Sequence, residues 1–155
     1  MDPSRRVKLI VRYRAGAGAV DAALAGAGDA ELDAVPEDGG WSPRMVVHHL
    51  ADSESNSYVR VRKLLAEDGP ILQGYDEAEY ARRLDYGRPV ETSLAVFRAV
   101  RASTTELIER LSEEDWARAG THTESGPYTM DDWLEIYADH AFDHAEQIRR
   151  ARGAD

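Results

Sequence analysis

Two histidine-bearing segments contain the side chains of this chain that are best suited to chemistry. The first carries His48 and His49, and the second, which begins 91 positions beyond His49, carries His140 and His144. Imidazoles four residues apart on a helix share one face, with about 5–6 Å between their Cβ atoms, so both can reach one cation. A third histidine from a facing helix completes a three-nitrogen site with open positions, which binds a divalent metal ion and activates water.

The first segment offers two histidines, but only one of them can face the second segment. Adjacent helical residues point about 100° apart. His49 begins a polar line at the helical period through Ser53, Asn56 and Arg60, which is typical of a pocket wall between helices. We therefore choose His49 as the third candidate ligand and expect His48 to lie on the surface or against another element. A solvent-facing polar line without a site is the alternative.

Periodic apolar residues predict four long helices that position these side chains. The strongest start signal is Ser42-Pro43, because Ser42 can cap free backbone N–H groups and Pro43 suits the first helical turn. The long helices are predicted at about residues 6–27, 43–66 and 92–111, and from 129 towards the C-terminus. Short helices are predicted near 29–32, 76–84 and 112–116, and a loop or hairpin-like extension at 120–127. The pattern indicates an all-α fold: an antiparallel four-helix bundle with short helical inserts in the connections, forming a single domain over residues 1–155.

Acidic residues near the histidines receive no firm catalytic role from the sequence. Asp139 and Asp143 can fix the imidazole tautomer as hydrogen-bond acceptors, or they can form a solvated acidic face. Glu54 is the carboxylate nearest the first motif, but it points away from the line that His49 begins. The reacting group is therefore expected to be a water on the metal, and the general base is unknown. His122, in the predicted loop, is expected to be exposed.

Composition argues against several kinds of function. The chain has 155 residues, 43% of them hydrophobic, which suffices for one domain with its own core. It contains no cysteine, so any metal needs nitrogen or oxygen ligands, and a cytoplasmic location is expected. The net charge of −10 argues against nucleic-acid binding. No apolar run approaches the roughly 20 residues that a membrane span requires. A small-molecule substrate is the expected partner.

Both histidine segments match a known family in order and separation. The matching residues are W-S-x-x-x-V-x-H-H-L-A-D-S-E over 41–54, then Asn56-Ser57-Tyr58, and finally Tyr137-Ala138-x-His140-x-x-x-His144-x-x-Gln147-Ile148. This arrangement resembles the DinB-like superfamily and, within it, the metal-dependent hydrolases of the YfiT type. The likeness extends from about Trp41 to the C-terminus and includes the segment Tyr75-Asp76-Glu77.

The resemblance implies a four-helix bundle, a divalent ion (zinc or nickel) and a homodimer. By motif position, the implied ligands are His49, His140 and His144. One departure concerns Asp143, since many relatives carry a further histidine just before the last ligand. The implied function is metal-dependent hydrolysis of a small molecule, in which the ion activates water.

The substrate contacts and the reaction type have alternatives. Asn56 and Arg60 are candidates for orienting a polar or anionic substrate, although ordinary exposed residues are at least as common at such positions. Some DinB-like proteins are S-transferases or isomerases that use a low-molecular-weight thiol, and Arg60 or Arg62 could serve such a cosubstrate. A third alternative is a non-catalytic, stress-associated protein whose metal stabilises the fold or is sensed.

Overall fold

Seven helices and three short strands are present in the part of the chain that the computed structural model describes, residues 1–37 and 39–153. The helices are α1 (Pro3–Leu24), α2 (Asp29–Leu32), α3 (Pro43–Ala66), α4 (Glu77–Arg83), α5 (Glu91–Ile108), α6 (Glu113–Trp116) and α7 (Met130–Arg152). The strands are β1 (Ile71–Leu72), β2 (Ala119–His122) and β3 (Gly126–Thr129). The four long helices α1, α3, α5 and α7 pack as a bundle, so the predicted all-α four-helix bundle is confirmed.

Local capping explains why several helix boundaries agree with the prediction. The Ser42 hydroxyl accepts a hydrogen bond from the Met45 amide, and Pro43 occupies the first turn of α3. Thr129 starts α7 through a capping box with Asp132. The predicted bounds of α3 are therefore confirmed. Helix α1 instead ends at Leu24, three residues before the predicted end.

The helix directions within the bundle differ from the simplest antiparallel arrangement. Helix α3 runs antiparallel to α7. This direction is shown by Ser57, late in α3, which accepts a 2.7 Å hydrogen bond from the Trp133 indole at the start of α7. Helices α1 and α7 instead run parallel, as an early contact between Arg5 and Glu135 and a late contact between Arg152 and the Ala23 carbonyl show. The bundle thus combines parallel and antiparallel neighbours.

Helices α3 and α5 form the second parallel pair. His48 and Ser93 meet near the beginnings of these helices, at 2.7 Å, and Arg62 and Ser103 meet further along both. A parallel pair of consecutive long helices needs a connection that travels the length of the bundle. The connection over residues 67–90 does so, and it contains β1 and α4.

A small sheet joins the two longest connections. Strand β1 pairs in parallel with β2, with Leu72 opposite His122, and β2 pairs antiparallel with β3, with His122 opposite Gly126. The hairpin-like extension at 120–127 is therefore confirmed. Strand β1 was missed, because a strand of two residues is too short to display an alternating pattern.

Close helix packing explains one glycine of α1, Gly16. A Cβ at Gly16 would lie 2.7 Å from the Ala141 Cβ on α7 and 3.0 Å from the Arg101 guanidinium carbon. Glycine costs roughly 1 kcal/mol of helix propensity against alanine, and here it permits the parallel contact between α1 and α7. The main core beside this contact includes Tyr13, Trp133 and Leu134, all fully buried.

Candidate metal centre

Three imidazoles converge between α3 and α7. His49 comes from the second turn of α3, and His140 and His144 come from successive turns of α7. The His140 Nε2 atom lies 3.4 Å from His49 Nε2 and 3.2 Å from His144 Nε2. One ligand atom from each ring falls within 4.8 Å of the other two. The antiparallel pairing of the two helices brings the rings together, because it sets the beginning of α3 beside the second half of α7.

Burial keeps these rings neutral near pH 7. Desolvation, with a further contribution from His144, lowers the pKa of His49 to about 3. Desolvation, together with the two neighbouring rings, lowers the pKa of His140 to about 2. Burial also lowers the pKa of His144, although Gln147 and Asp143 oppose this effect. Neutral imidazoles carry the nitrogen lone pair that a metal ion requires.

The outer nitrogen of each ring is Nδ1. Among the described residues, only one of these three nitrogens has a hydrogen-bond partner. His144 Nδ1 lies 2.8 Å from Oε1 of Gln147, which can accept its proton and fix the ring orientation. His49 Nδ1 and His140 Nδ1 are buried and lack a hydrogen-bond partner among the described residues. The nearest acidic group to His49 is Glu77, whose Oε2 atom lies 4.0 Å from Nδ1.

The donor set fits a divalent transition metal ion. Three imidazole nitrogens face one another, and no carboxylate belongs to the group over residues 1–37 and 39–153. Histidine nitrogens suit zinc and nickel, and three protein ligands leave positions open. The Nε2 lone pairs of neutral rings that face one another, 3.4 Å apart for His49 and His140 and 3.2 Å apart for His140 and His144, repel without a cation between them, so the cluster fits the metal that the sequence implied.

A cavity of about 240 Å³ adjoins this cluster on the side of His140. Its lining combines charged, hydroxyl-bearing and aromatic side chains from α3, α4, α7 and the two long connections; it comprises Ser53, Arg60, Tyr75, Glu77, His122, Glu124, Ser125, Tyr128, Ile136, Tyr137 and His140. Two residues of the polar line that was predicted to form a pocket wall along α3, Ser53 and Arg60, therefore line this cavity. A cavity of this size admits a small molecule.

The two predicted substrate contacts occupy different surroundings. Arg60 lines the cavity, donates a 2.7 Å hydrogen bond to the Gln73 carbonyl and lies 3.4 Å from the Tyr137 hydroxyl. Its Nε atom is buried and has no hydrogen-bond partner in the described part of the chain. Asn56 lies outside the cavity lining, and its side-chain amide donates to the Asp52 carbonyl at 2.9 Å.

Two further histidines, His48 and His122, are also buried. His48 is fully buried against α5 and the preceding loop, 2.7 Å from the Ser93 hydroxyl and 2.9 Å from the Arg88 carbonyl. The expectation that His122 is exposed was wrong. Only 8% of its surface is accessible, because the end of β2 turns its ring towards Tyr128 in the cavity wall.

The three acidic residues near the motifs lie outside the imidazole cluster. Glu54 is buried against Arg101 at 2.9 Å, which confirms that it points away from the His49 line. Asp139 pairs with Arg12 of α1, and Asp143 is exposed. For these two aspartates, the solvated acidic face is therefore the correct alternative.

The sequence analysis missed Tyr75 and Glu77 as cavity residues. Both come from the connection between α3 and α5, where no periodic pattern indicates which way a side chain points. The Gly74 amide, which precedes Tyr75, donates to the Thr123 hydroxyl at 2.9 Å and so fixes this segment against the hairpin. Burial raises the pKa of Glu77, and the nearby Glu124 carboxylate raises it further. The family resemblance included the segment Tyr75-Asp76-Glu77, and this was the signal that could have identified both residues from the sequence.

Curated relatives of this chain carry names that refer to metal dependence. A curated relative from Oceanobacillus iheyensis, named "Putative metal-dependent hydrolase", is 38% identical over 118 residues, which cover 76% of this chain and 69% of the relative. A relative of the same name from Bacillus cereus is 33% identical over 122 residues, covering 79% of this chain and 70% of the relative.

A solved structure shares the whole fold. The YfiT protein of Bacillus subtilis, described as a probable metal-dependent hydrolase with an unusual four-helix bundle topology, superposes with a TM-score of 0.89 at 28% identity, covering 100% of this chain and 91% of that one. The sequence pattern of the DinB superfamily matches residues 12–148, a span that includes both histidine segments. Fold, histidine arrangement and family match agree, and the chain belongs to the DinB superfamily.

Proposed function

We propose that this protein is a metal-dependent hydrolase that binds one divalent ion through His49, His140 and His144. The observation that carries the proposal is the convergence of three neutral imidazoles, within 4.8 Å of one another, beside a polar cavity. Zinc or nickel is the proposed ion, because both accept nitrogen ligands. The names of the relatives support the hydrolase reaction.

Each side chain of the site has a distinct proposed task. When bound, a divalent ion lowers the pKa of a coordinated water towards neutrality and polarises a substrate carbonyl. The three histidines hold the ion in their neutral form, and Gln147 accepts the outer proton of His144, which keeps its Nε2 lone pair directed inward. Glu77 is the carboxylate closest to the cluster and is the candidate proton acceptor that the sequence alone did not provide.

The substrate is proposed to be a small molecule that enters beside Arg60. Its side chain already faces the cavity, whereas Asn56 must exchange the Asp52 carbonyl for substrate before it can contribute. The net charge of −10 supports a partner other than nucleic acid. Over the described residues, none of the helices combines the length and apolar character needed to cross a membrane. A homodimer and a cytoplasmic location complete the proposal, and light scattering tests the dimer.

Metal analysis of histidine variants tests the ligand set. The protein is purified without added metal, and bound zinc and nickel are measured in wild type, His49→Ala and His144→Ala. We expect about one ion per chain in wild type and at least a hundredfold loss of affinity in each variant, more than loss of an outer hydrogen bond alone causes. His122→Ala is the matched control, because this histidine lines the same cavity outside the cluster. Unchanged metal content in His49→Ala and His144→Ala would contradict the assignment.

Substrate panels test the reaction. The metal-loaded protein is assayed with esters, amides and lactones, first alone and then with bacillithiol- or mycothiol-type acceptors. Turnover without thiol supports hydrolysis, and transfer only in the presence of thiol rejects it. If metal raises thermal stability while every substrate class fails, the protein is a non-catalytic metal-binding protein.

A further inference from the structure

A backbone contact sets the tautomer of His122, the histidine of the cavity wall. Its Nδ1 atom accepts a 3.3 Å hydrogen bond from the Glu124 backbone amide. Because Nδ1 accepts this proton, the neutral ring carries its own proton on Nε2. The three histidines of the candidate metal centre need the Nε2 lone pair for an ion, whereas the Nε2–H group of His122 can only donate a hydrogen bond.

The Nε2 atom of His122 is open to the cavity. The ring lines this cavity, and 8% of the residue's surface remains accessible. Nε2 has no hydrogen-bond partner among the described residues, and it does not belong to the fully buried side-chain atoms that lack one. It therefore retains surface that a ligand in the cavity can reach.

Strand pairing and ring packing fix the direction of this donor. His122 ends β2, where it lies opposite Leu72 of β1 and Gly126 of β3. The centre of its ring lies 5.7 Å from that of the buried Tyr128. A donor that is already held in place loses little conformational entropy when it binds an acceptor.

The surroundings keep the His122 ring neutral and leave its donor unpaired. Burial lowers the pKa of His122, and the Arg60 cation lowers it further, against the opposing effect of Glu124. The Glu124 carboxylate packs instead against Gly74, where a Cβ atom would overlap with it. No carboxylate of the described residues forms an ion pair with His122, so the Nε2–H group is left for a ligand.

His122 and the candidate metal centre occupy different parts of the cavity wall. The group of three histidines does not include His122. The ring of His140 lies 5.5 Å from that of Tyr137, whereas His122 packs against Tyr128, and no ring contact joins the two histidines in the described part of the chain. A ligand that reaches both places must therefore carry two polar groups.

The charges of the cavity admit neutral and singly negative ligands alike. Arg60 is cationic, Glu77 and Glu124 are acidic, and a divalent ion at the three histidines adds two positive charges. With the ion bound, the positive and negative charges nearly balance. Recognition by His122 therefore depends on an acceptor atom rather than on net charge.

We propose that the Nε2–H group of His122 donates a hydrogen bond to an oxygen atom of the substrate, apart from the group that binds at the metal. This inference rests on the proposed function, because the second group is defined relative to the ion. It assigns His122 as a substrate-binding residue. It also narrows the substrate class to small molecules with two oxygen-bearing groups, such as an ester or amide with a further carbonyl oxygen.

The tautomer is tested by NMR of the imidazole nitrogens in the zinc-loaded protein at pH 7. We expect the His122 ring to carry its proton on Nε2, and the signals that disappear in His122→Gln identify this ring. A proton on Nδ1, alone or together with one on Nε2, would overturn the inference and leave the proposed metal site untouched.

Hydroxamic acids test the hydrogen bond in the cobalt-loaded protein, followed by the visible absorption of cobalt. Acetohydroxamic acid binds only at the open metal positions, and hydroxamic acids with a terminal carboxamide, on chains of increasing length, also offer a second oxygen. We expect at least one of these chains to bind wild type about tenfold more tightly than acetohydroxamic acid, the effect of one hydrogen bond. His122→Phe should lose this gain, and His122→Gln should retain it, because its amide N–H replaces the imidazole donor.

Azide is the control, because it binds the metal and has no second oxygen; wild type and all variants should bind it equally. His122→Ala is a second variant without the donor, so the comparison does not depend on one substitution. The inference is wrong, while the metal site stands, if no carboxamide chain improves binding to wild type or if the gain persists in His122→Phe and His122→Ala. Failure of wild type to bind cobalt or azide would remove the proposed function as well.

Discussion

The interior of the bundle contains two buried polar clusters whose hydrogen bonding differs. The ion-pair cluster consists of Tyr13, Glu54 and Arg101. The imidazole cluster consists of His49, His140 and His144. Both clusters take residues from α3, and each joins that helix to others across the core. Their comparison separates a cluster held by complete hydrogen bonds from a cluster in which ring nitrogens face one another.

The ion-pair cluster is satisfied by protein. Arg101 donates from Nε to the Tyr13 carbonyl at 2.7 Å, from Nη1 to Glu54 at 2.9 Å and from Nη2 to the Tyr137 carbonyl at 2.7 Å. The Tyr13 hydroxyl donates to the other oxygen of Glu54. Arg101 and Glu54 are each only 1% exposed in their side chains, and their burial is compensated by this network.

The hydrogen bonding of the imidazole cluster is less complete. The outer nitrogens of His49 and His140 have no partner among the described residues, and the same holds for Arg60 Nε and the Tyr75 hydroxyl in the adjoining cavity. His48 provides an internal comparison on the same helix, because both of its nitrogens lie within hydrogen-bonding distance of protein groups. Among the described residues, four of the five buried side-chain atoms without a partner therefore lie at the imidazole cluster or in the residues of the adjoining cavity, and the fifth is the Thr104 hydroxyl.

The largest expected effect comes from breaking the ion-pair cluster. Arg101→Met leaves the Glu54 carboxylate buried without its counter-charge, and we expect a loss of about 3–5 kcal/mol in the free energy of unfolding. Urea denaturation of the metal-free protein measures it. Arg98→Ala is the control on the same helix: its pair with Asp21 is exposed, so its loss should stay within about 1 kcal/mol. Equal losses in the two variants would contradict the structural role assigned to the ion-pair cluster.

The pH dependence of stability distinguishes the two clusters by sign. The pKa of His49 is lowered to about 3 and that of His140 to about 2, both from the ordinary 6.5. Their contribution to stability is therefore complete above about pH 6.5 and is lost as the pH falls towards these folded values. Burial raises the pKa of Glu54, so its contribution changes in the opposite direction, increasing as the pH falls through its folded pKa.

Denaturation of the metal-free protein at pH 7 and pH 5 measures this dependence. We expect about 2 kcal/mol of lost stability for each buried ring over that interval, since one pKa unit corresponds to about 1.4 kcal/mol. His49→Phe should reduce the loss by the share of one ring, whereas His122→Phe, which replaces a less deeply buried histidine, should reduce it less. A pH dependence that both variants leave intact would rule out the imidazole cluster as its source.

The smallest expected effect concerns one hydrogen bond of the imidazole cluster, between His144 and Gln147. Gln147→Ala removes the acceptor 2.8 Å from His144 Nδ1, the only outer nitrogen of the imidazole cluster that pairs with a side chain of the described residues. We expect about tenfold weaker zinc affinity, measured by competition with a chromophoric chelator. Glu146→Ala, one position earlier and exposed, is the control. Equal zinc affinity in the two variants would show that Gln147 does not support the metal site.

Local patterns accounted for much of the fold. Ser42 and Pro43 start α3 through contacts within one turn, and the predicted start of α3 followed from them. The choice of His49 over His48 depended on the polar line along the same helix, and the structure places His49 beside His140. Such predictions succeed because they use periods and caps that act over a few residues.

Long-range contacts accounted for what the sequence analysis missed. His122 joins the cavity wall because β2 pairs with β1, where Leu72 lies 50 positions earlier in the chain. Tyr75 and Glu77 reach the cavity through the same connection, which has no period to show their direction. The parallel directions of α1 with α7 and of α3 with α5 likewise depend on how the long connections cross the bundle.

The sequence by itself determined the helices, their caps and the pair of imidazoles on one face of α7, because these depend on neighbours within about four residues. Only the tertiary structure decided which buried polar groups are paired and which lack a partner among the described residues. That decision depends on the meeting of segments far apart in the chain, where hydrogen bonding and charge are set by the packed surroundings.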